Sequence, residues 1–382
     1  MWKLFFPNEK GCRMKVSYVL VICFILVSRM VFADAAQQIT YITFPSLNKP
    51  PKYQEDVLAI YGAINHQAIS PLFKAYQEKY PHVAIHYTES NTRHLYEQFI
   101  SQPNMRPDVM LSPAMDLQFK LANDGYALAY DSPELSNVPK DSHWRNELFG
   151  FTYEPIVTAL NSDILVGEAL PLSREQLLNL IRSKNHLLDD KIGLFDIQQS
   201  GLGYLAWAYD GQQSRSYGRL LEAFGTHQAR LYTDTSSMLN ALLKGQIFIA
   251  YNLVGAYSYQ WSKKYAWIKT IMPTDYTTII MRTAFIPRDA QQPTLAKRFI
   301  DLLLSPEGQH ILANQSGITP ISTKVKGPYS RDELSKLPHG IFRPIPLGLE
   351  LLIQTDDAKK QLIYHEWDNA MFIISNDSSS IP

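Results

Sequence analysis

The chain has 382 residues, with 36 Lys and Arg balanced by 36 Asp and Glu and with 12% aromatic side chains. Near-neutral charge without a Lys/Arg-rich tract excludes the electrostatic footprint of a nucleic-acid binder, and the length exceeds one typical hydrophobic core, so two lobes are expected. Both cysteines, Cys12 and Cys23, lie near the N terminus, which leaves the rest of the chain without a disulfide to hold it.

Val16 to Val27 is a mostly apolar run after Lys15, followed by Val31-Phe32-Ala33. It is shorter than the roughly 20 residues a membrane span requires, so residues 1–33 read as a cleaved export signal. Cleavage after Ala35 or Ala36 fits as well, and either Met1 or Met14 serves as the start. Cys23 follows Ile22 and precedes Phe24, without the small residues that precede a lipid-anchored cysteine. Removing residues 1–33 takes away five basic side chains and one acidic one, leaving a net charge of −4. A periplasmic, soluble monomer is expected.

Asp56 to Gly62 reads as a first strand, and Ser70-Pro71 as the cap and first residue of a helix that stops before Pro81. Val83 to Tyr87 is a second strand, and Thr88 to Thr92 opens a second helix. Asp108 to Ala127 supplies a buried strand, a small-residue turn at Ser112-Pro113-Ala114, a helix through Met115, Leu117, Phe119 and Leu121, and a stop at Gly125. This β-α alternation predicts a parallel sheet whose ligand edge lies at the strand C termini.

Leu148 to Asn161 is expected to be an extended stretch leaving the first lobe. Ser173 opens a helix, Lys191 to Phe195 is a strand, and Ser200-Gly201 starts another helix. Thr235 is expected to cap a helix ending at Gly245, and Ile247 to Asn252 to be a buried strand. Thr277 to Ile286 carries the chain back, followed by helices at Leu295–Leu304 and Pro306–Ala313. The boundaries predicted are 37–155 plus 285–375 for the first lobe, 156–284 for the second, and a disordered polar tail at 376–382.

In Val57 to Gly62, Asp108 to Ala127, Trp144 to Pro155, Gln199 to Tyr204, Tyr251 to Gly255, Arg282 to Pro287 and Leu303 to Gln309 the chain resembles the extracellular solute-binding proteins of ABC transporters. The likeness is to their ferric-iron and organophosphate branch, and within it to the phosphoglycerate transport regulatory proteins. The resemblance implies an α/β, two-lobed periplasmic-binding-protein fold of type II, with two parallel or mixed sheets, flanking helices and two hinge strands. It implies a solute bound in the cleft and closure read by an ABC permease or a membrane sensor kinase ectodomain; no catalysis and no cofactor are expected, and the donors described next point to a small anionic solute, a phosphorylated metabolite or an organic acid.

The ligand candidates are donors at strand-to-helix junctions: Gly62 and Ala63, Ser90-Asn91-Thr92, Ser112-Pro113-Ala114, and Ser200-Gly201. Each offers N–H groups with a hydroxyl or amide, the apparatus that holds a phosphate or carboxylate without metal, although each also suits a plain cap or turn. Arg282 is a candidate bidentate partner for an oxyanion or else a surface arginine. Tyr204, Tyr251 and Trp207 are candidate apolar walls or core residues, and Asn252 joins them at the end of its strand. The ferric branch places adjacent tyrosines after that strand, whereas this chain has Asn252-Leu253-Val254-Gly255, with Tyr257 and Tyr259 further on. His66, His82, His86 and His94 match no structural zinc spacing. No Gly-x-Ser-x-Gly, His-Glu-x-x-His or P-loop pattern occurs, which disfavours a periplasmic phosphoester hydrolase.

Overall fold

The computed structural model describes residues 39–47, 57–165 and 167–371; the expected export signal, both cysteines, Asp56 and the polar tail lie outside them. The first sheet contains β1 (Thr40–Phe44), β2 (Val57–Gly62), β3 (Ala84–Glu89), β4 (Val109–Ser112), β5 (His143–Trp144), β6 (Leu148–Gly150) and a late strand, β13 (Thr283–Phe285), in the order β1-β3-β2-β4-β13-β6-β5. β2 runs parallel to both β3 and β4, and helices α1 (His66–Lys79), α2 (Thr92–Ser101) and α3 (Met115–Asn123) follow these three strands. Three helix N termini therefore emerge side by side at one sheet edge, as the alternation predicts. β4 is buried along its whole length, which suits a central parallel strand covered on both faces.

Helix α1 starts before the expected Ser70-Pro71. Asn65 is its cap, its Oδ1 accepting from the Gln67 N–H at 2.9 Å, and Pro71 lies inside the helix. Proline cannot bond the carbonyl four residues back, and the Ser70 hydroxyl instead donates to that Gln67 carbonyl at 3.1 Å.

The second sheet has the order β14-β12-β7-β10-β8-β9, built from β7 (Glu154–Asn161), β8 (Ile192–Phe195), β9 (Arg230–Tyr232), β10 (Ile249–Val254), β12 (Thr277–Ile280) and β14 (Phe342–Pro344), with β11 (Ile268–Ile271) also pairing with β7. β8 is parallel to β9 and β10. Its helices are α4 (Arg174–Lys184), α5 (Gly201–Gln213), α6 (Tyr217–Thr226), α7 (Thr235–Leu243) and α8 (Gly255–Lys264), and α5, α7 and α8 follow the parallel strands. The cap of α7 is Asp234, which accepts from the Ser237 N–H at 2.9 Å; the expected cap, Thr235, instead accepts from the Val254 N–H.

The stretch 148–161 is two strands, because the chain passes between the sheets at 151–153 and returns at 281–282. The two crossings bond to each other: the Phe151 N–H donates to the Arg282 carbonyl at 3.0 Å, and the Arg282 N–H to Thr152 Oγ1 at 2.8 Å. After α9 (Pro293–Leu304) and α10 (Pro306–Ile311), the segment Thr319 to Ile321 bonds to this hinge through Tyr153 and Phe151, and the chain crosses a third time. Past α11 (Arg331–Leu334), β14 joins the second sheet beside β12. The helix α12 (Glu350–Ile353) returns to pack on α3, and the last helix, α13 (Asp357–Met371), buries Trp367 and Met371 in the second lobe's core.

The expected assignment of 285–375 to the first lobe is therefore corrected: β14 and α13 belong to the second. The cause is apolar spacing. Tyr364, Trp367 and Met371 share one helix face, and Trp367 meets Trp207 at 4.8 Å between ring centroids.

Candidate functional site

The ligand edges of the two sheets face each other and touch. Thr92 Oγ1, at the start of α2, accepts from the Leu202 N–H at the start of α5, 3.1 Å away. A Cβ on Gly201 would lie 2.7 Å from Leu117 Cδ1, 3.2 Å from Ala114 Cβ and 3.3 Å from Thr92 Oγ1, so the N termini of α2, α3 and α5 converge. A second bridge joins the N terminus of α1 to α8, where the Asn65 N–H donates to the Tyr257 phenol oxygen at 3.1 Å.

Several sequence candidates lie at this junction, but the fold already uses most of their polar groups. Ser112 Oγ accepts from the Ala114 N–H behind Pro113, Ser200 Oγ caps α5 at Gly203, and Asn91 Oδ1 caps α2 at His94. The Ala63 N–H donates to the Leu111 carbonyl, and the Gly62 carbonyl accepts from Ser90. Gly62 is small because Tyr87 fills the space beside it: a Cβ would fall 2.5 Å from that phenol oxygen. Ser90 Oγ is buried and has no partner.

Arg282 differs from both sequence readings. It is 1% exposed, and its Nε and Nη2 grip Glu154, itself 0% exposed, at 2.7 and 3.3 Å. Nη1 donates to the Ala63 carbonyl at 3.0 Å. The guanidinium thus ties the start of β7 to the loop after β2, a clamp across the hinge rather than a free anion receptor. The Glu154 carboxylate keeps it charged, holding its pKa above the ordinary value although burial pulls the other way.

Tyr251 and Asn252 point elsewhere. β10 carries an irregularity between Ala250 and Leu253, and Asn252 sits there in the left-handed region at φ 61°. Asparagine tolerates that conformation, and the bulge turns its side chain inward, Nδ2 donating to Asp210 at 3.0 Å. The Tyr251 and Tyr276 hydroxyls donate to the same carboxylate, and Arg174 closes the network with bonds to Asp210, Tyr251 and Asp275. Trp207 is likewise core, packed against Tyr217, Phe224 and Trp367.

Sequence reasoning passed over three groups, centred on Glu89, Asp116 and the Arg174–Asp210 pair, although it named their neighbours His66, Tyr204, Tyr251 and Asn252. Glu89, ending β3, accepts from the His66 N–H at 2.9 Å and bonds His66 Nδ1 at 2.8 Å, so the glutamate and histidine flank the Asn65–Tyr257 bridge. The signal was a carboxylate at a strand end beside a cap. Asp116 is wholly buried in the first turn of α3, and the Tyr204 hydroxyl is buried without a partner on the facing helix α5. Its signal was a lone charge between the core residues Met115 and Leu117. The third group is the Arg174–Asp210 network, whose members are far apart in sequence. Among the described residues, no cluster of three or more His, Cys, Asp or Glu is arranged to hold a metal.

Facing helix N termini at parallel strand ends, joined by a paired hinge, form a device for enclosing a small solute. A family model described as bacterial extracellular solute-binding protein matches residues 58–317. The chain belongs to that family. Its fold is similar to the substrate-binding protein of an ABC transporter from Agrobacterium tumefaciens, at 26% identity and a TM-score of 0.82, covering 88% of this chain and 99% of that one. It is also similar in fold to the periplasmic binding protein AfuA from Actinobacillus pleuropneumoniae with fructose-6-phosphate bound (18% identity, TM-score 0.68, 82% of this chain and 98% of that one). Iron-bound HitA from Pseudomonas aeruginosa is another structural relative (17% identity, TM-score 0.64, 82% and 99%). No curated protein matches the sequence. Among the described residues of this solute-binding protein, no helix is long and apolar enough to cross a membrane.

Proposed function

We propose that this periplasmic solute-binding protein captures a small anionic solute, a phosphorylated metabolite or an organic acid, between its lobes. The observation that carries the reading is the convergence of the α2, α3 and α5 N termini across the cleft, bridged from Thr92 to Leu202. Helix N termini concentrate N–H donors and positive potential, and a ligand touching both lobes favours closure by the free energy of its bridging contacts. The sugar-phosphate-bound relative supports this class of solute.

Ferric cargo is the second reading, supported by the iron-bound relative and by His66, Glu89 and Tyr257 near one bridge. The Arg282 guanidinium, 5.3 Å from the Tyr257 ring, weighs against a trivalent cation there. The reader of closure is an ABC permease or a sensor kinase ectodomain, and the likeness of residues 108–127 and 144–155 to the regulatory branch favours the kinase.

A thermal-shift screen over inorganic phosphate, phosphoglycerates, sugar phosphates, carboxylates and ferric citrate tests the cargo. A ligand at 100 times its Kd adds about 2.7 kcal/mol of stability, readily seen in Tm. Stabilisation by iron alone refutes the anion reading. Turnover of a bound phosphoester would instead reveal a hydrolase. Ligand-dependent co-purification with the kinase ectodomain supports regulation; loss of uptake on deletion, with neighbouring transcription unchanged, supports transport.

A further inference from the structure

Asp116 is 0% exposed, yet neither of its oxygens accepts a hydrogen bond from any other side chain; only the amides of its own helical turn lie nearby. A carboxylate placed so is costly, and a native protein that keeps one has a use for it. Two other elements bring polar groups near it. The Tyr204 hydroxyl, buried and unpartnered, comes from α5 in the other lobe. Lys360 and Tyr364 come from α13: the Tyr204 and Tyr364 rings meet edge to face at 5.8 Å, and the Lys360 ammonium lies 5.9 Å from the Tyr204 centroid. Lys360 and Arg93 are the cations within electrostatic range of Asp116, Tyr204, Tyr209 and Tyr364 the phenols, and neither cation is within hydrogen-bond distance of it. Arg93 is instead engaged by Glu97 at 2.6 Å.

Asp116 and Tyr204 sit within a turn of Ala114 and Ser200, the residues that open α3 and α5 at the cleft. With a rise of about 1.5 Å per residue, both lie within roughly 6 Å of the converging N termini.

We propose that Asp116 and Tyr204, with Lys360, form a subsite for the hydroxylated end of the solute, so that the cargo is a polyhydroxylated anion. This rests on the anion reading above and extends it. The missing partner must donate to a carboxylate while accepting from a phenol and an ammonium, and a hydroxyl, with one donor and two lone pairs, does all three. An amine on the solute is disfavoured because Lys360 and Arg93 already supply positive charge at this spot. Opening the lobes separates α5 from α3 and admits the solute; closing buries the hydroxyls where the desolvated carboxylate binds them strongly.

The test is calorimetry with paired probes that differ only in hydroxyls: glycerol 3-phosphate against propyl phosphate, and glycerate against propionate, with inorganic phosphate and 2-aminoethyl phosphate alongside. The wild-type protein is expected to favour the hydroxylated member of the pair it binds by about tenfold or more, the effect of one hydrogen bond to a charged group. Asp116→Asn and Tyr204→Phe are each expected to abolish that preference while leaving inorganic phosphate within about twofold. Lys360→Met, on the half-buried helix α13, is expected to reduce it and serves if the core variants fail to fold. Equal affinity within both pairs, a preference unchanged in the variants, or tightest binding of 2-aminoethyl phosphate overturns this proposal and leaves the anion reading standing. Failure of every phosphate and carboxylate probe to bind the wild-type protein removes the anion reading, and this one with it.

Discussion

Replacing Arg282 by Met removes the three hydrogen bonds that hold Glu154 and the Ala63 carbonyl, and leaves a carboxylate with 0% exposure and no counter-charge. Breaking a buried ion pair from one side costs about 3–5 kcal/mol, most of it the stranded charge rather than the lost attraction. At about 2–4 °C per kcal/mol for chains somewhat smaller than this one, Tm should fall by roughly 10 °C. Replacing both partners, Arg282→Met with Glu154→Leu, keeps the volume and removes both charges, so most of the loss should return, to within about 1 kcal/mol of wild type. Urea unfolding of the four proteins closes the cycle, provided the denaturant slope stays constant. The same set assayed for solute affinity separates clamp from receptor, because a clamp lowers stability in both single variants and an anion receptor lowers affinity only when the arginine is lost. A single variant within about 1 kcal/mol of wild type, or a double variant that loses the sum of the two, refutes the clamp.

Gly201→Ala puts a Cβ 2.7 Å from Leu117 Cδ1 across the cleft, a clash that exists only when the lobes meet. Solution scattering should show a more open particle and affinity should drop by about tenfold, from overpacking of roughly 1–3 kcal/mol; a wild-type scattering curve contradicts it. Gly225→Ala, in α6, would bring a Cβ within 1.9 Å of the Ala370 carbonyl oxygen, which is backbone and cannot step aside. Helix α13 should then detach, exposing its end to limited proteolysis and changing the fluorescence of the Trp207–Trp367 pair, and an unchanged digestion pattern counts against that packing. Burial pushes the Asp116 carboxyl from 3.8 up to about 7, against the opposing pull of Lys360 and Arg93. The folded protein then holds this proton more tightly than the unfolded chain, so its contribution is full below about pH 4 and is lost as pH rises toward 7, on the order of 4 kcal/mol. Asp116→Asn should flatten stability between pH 4.5 and 7.5, whereas a slope identical to wild type shows that the carboxyl titrates normally.

Much of the fold was readable because local periodicity and punctuation agree with it: β2, β3 and β4 with their following helices fall within a few residues of expectation. Pro71 misled because a helix-breaking residue was read as a helix start, when Ser70 repairs the bond that proline cannot make. The two strands hidden in 148–161, and the return of β14 and α13 to the second lobe, depend on which sheet offers a free edge, and no local window contains that.

The site divides along the same line. A sequence reveals which side chains can donate or accept, but not whether the fold has already engaged them. Ser112, Ser200 and Asn91 serve their own helices, Tyr251 and Asn252 serve Asp210, and Arg282 serves Glu154. These pairings span from two to 128 residues of sequence, so composition alone ranks them equally as ligand groups. Once the engaged groups are set aside, the buried polar atoms left without a partner among the described residues include, near the converging helix N termini, Ser90 Oγ, both Asp116 oxygens and the Tyr204 hydroxyl. Buried polar groups are paired in folded proteins unless something else is meant to pair them. The chemistry left over, an acid and hydroxyls beside helix N termini, is better matched by a solute bearing both an anionic group and hydroxyls than by either alone.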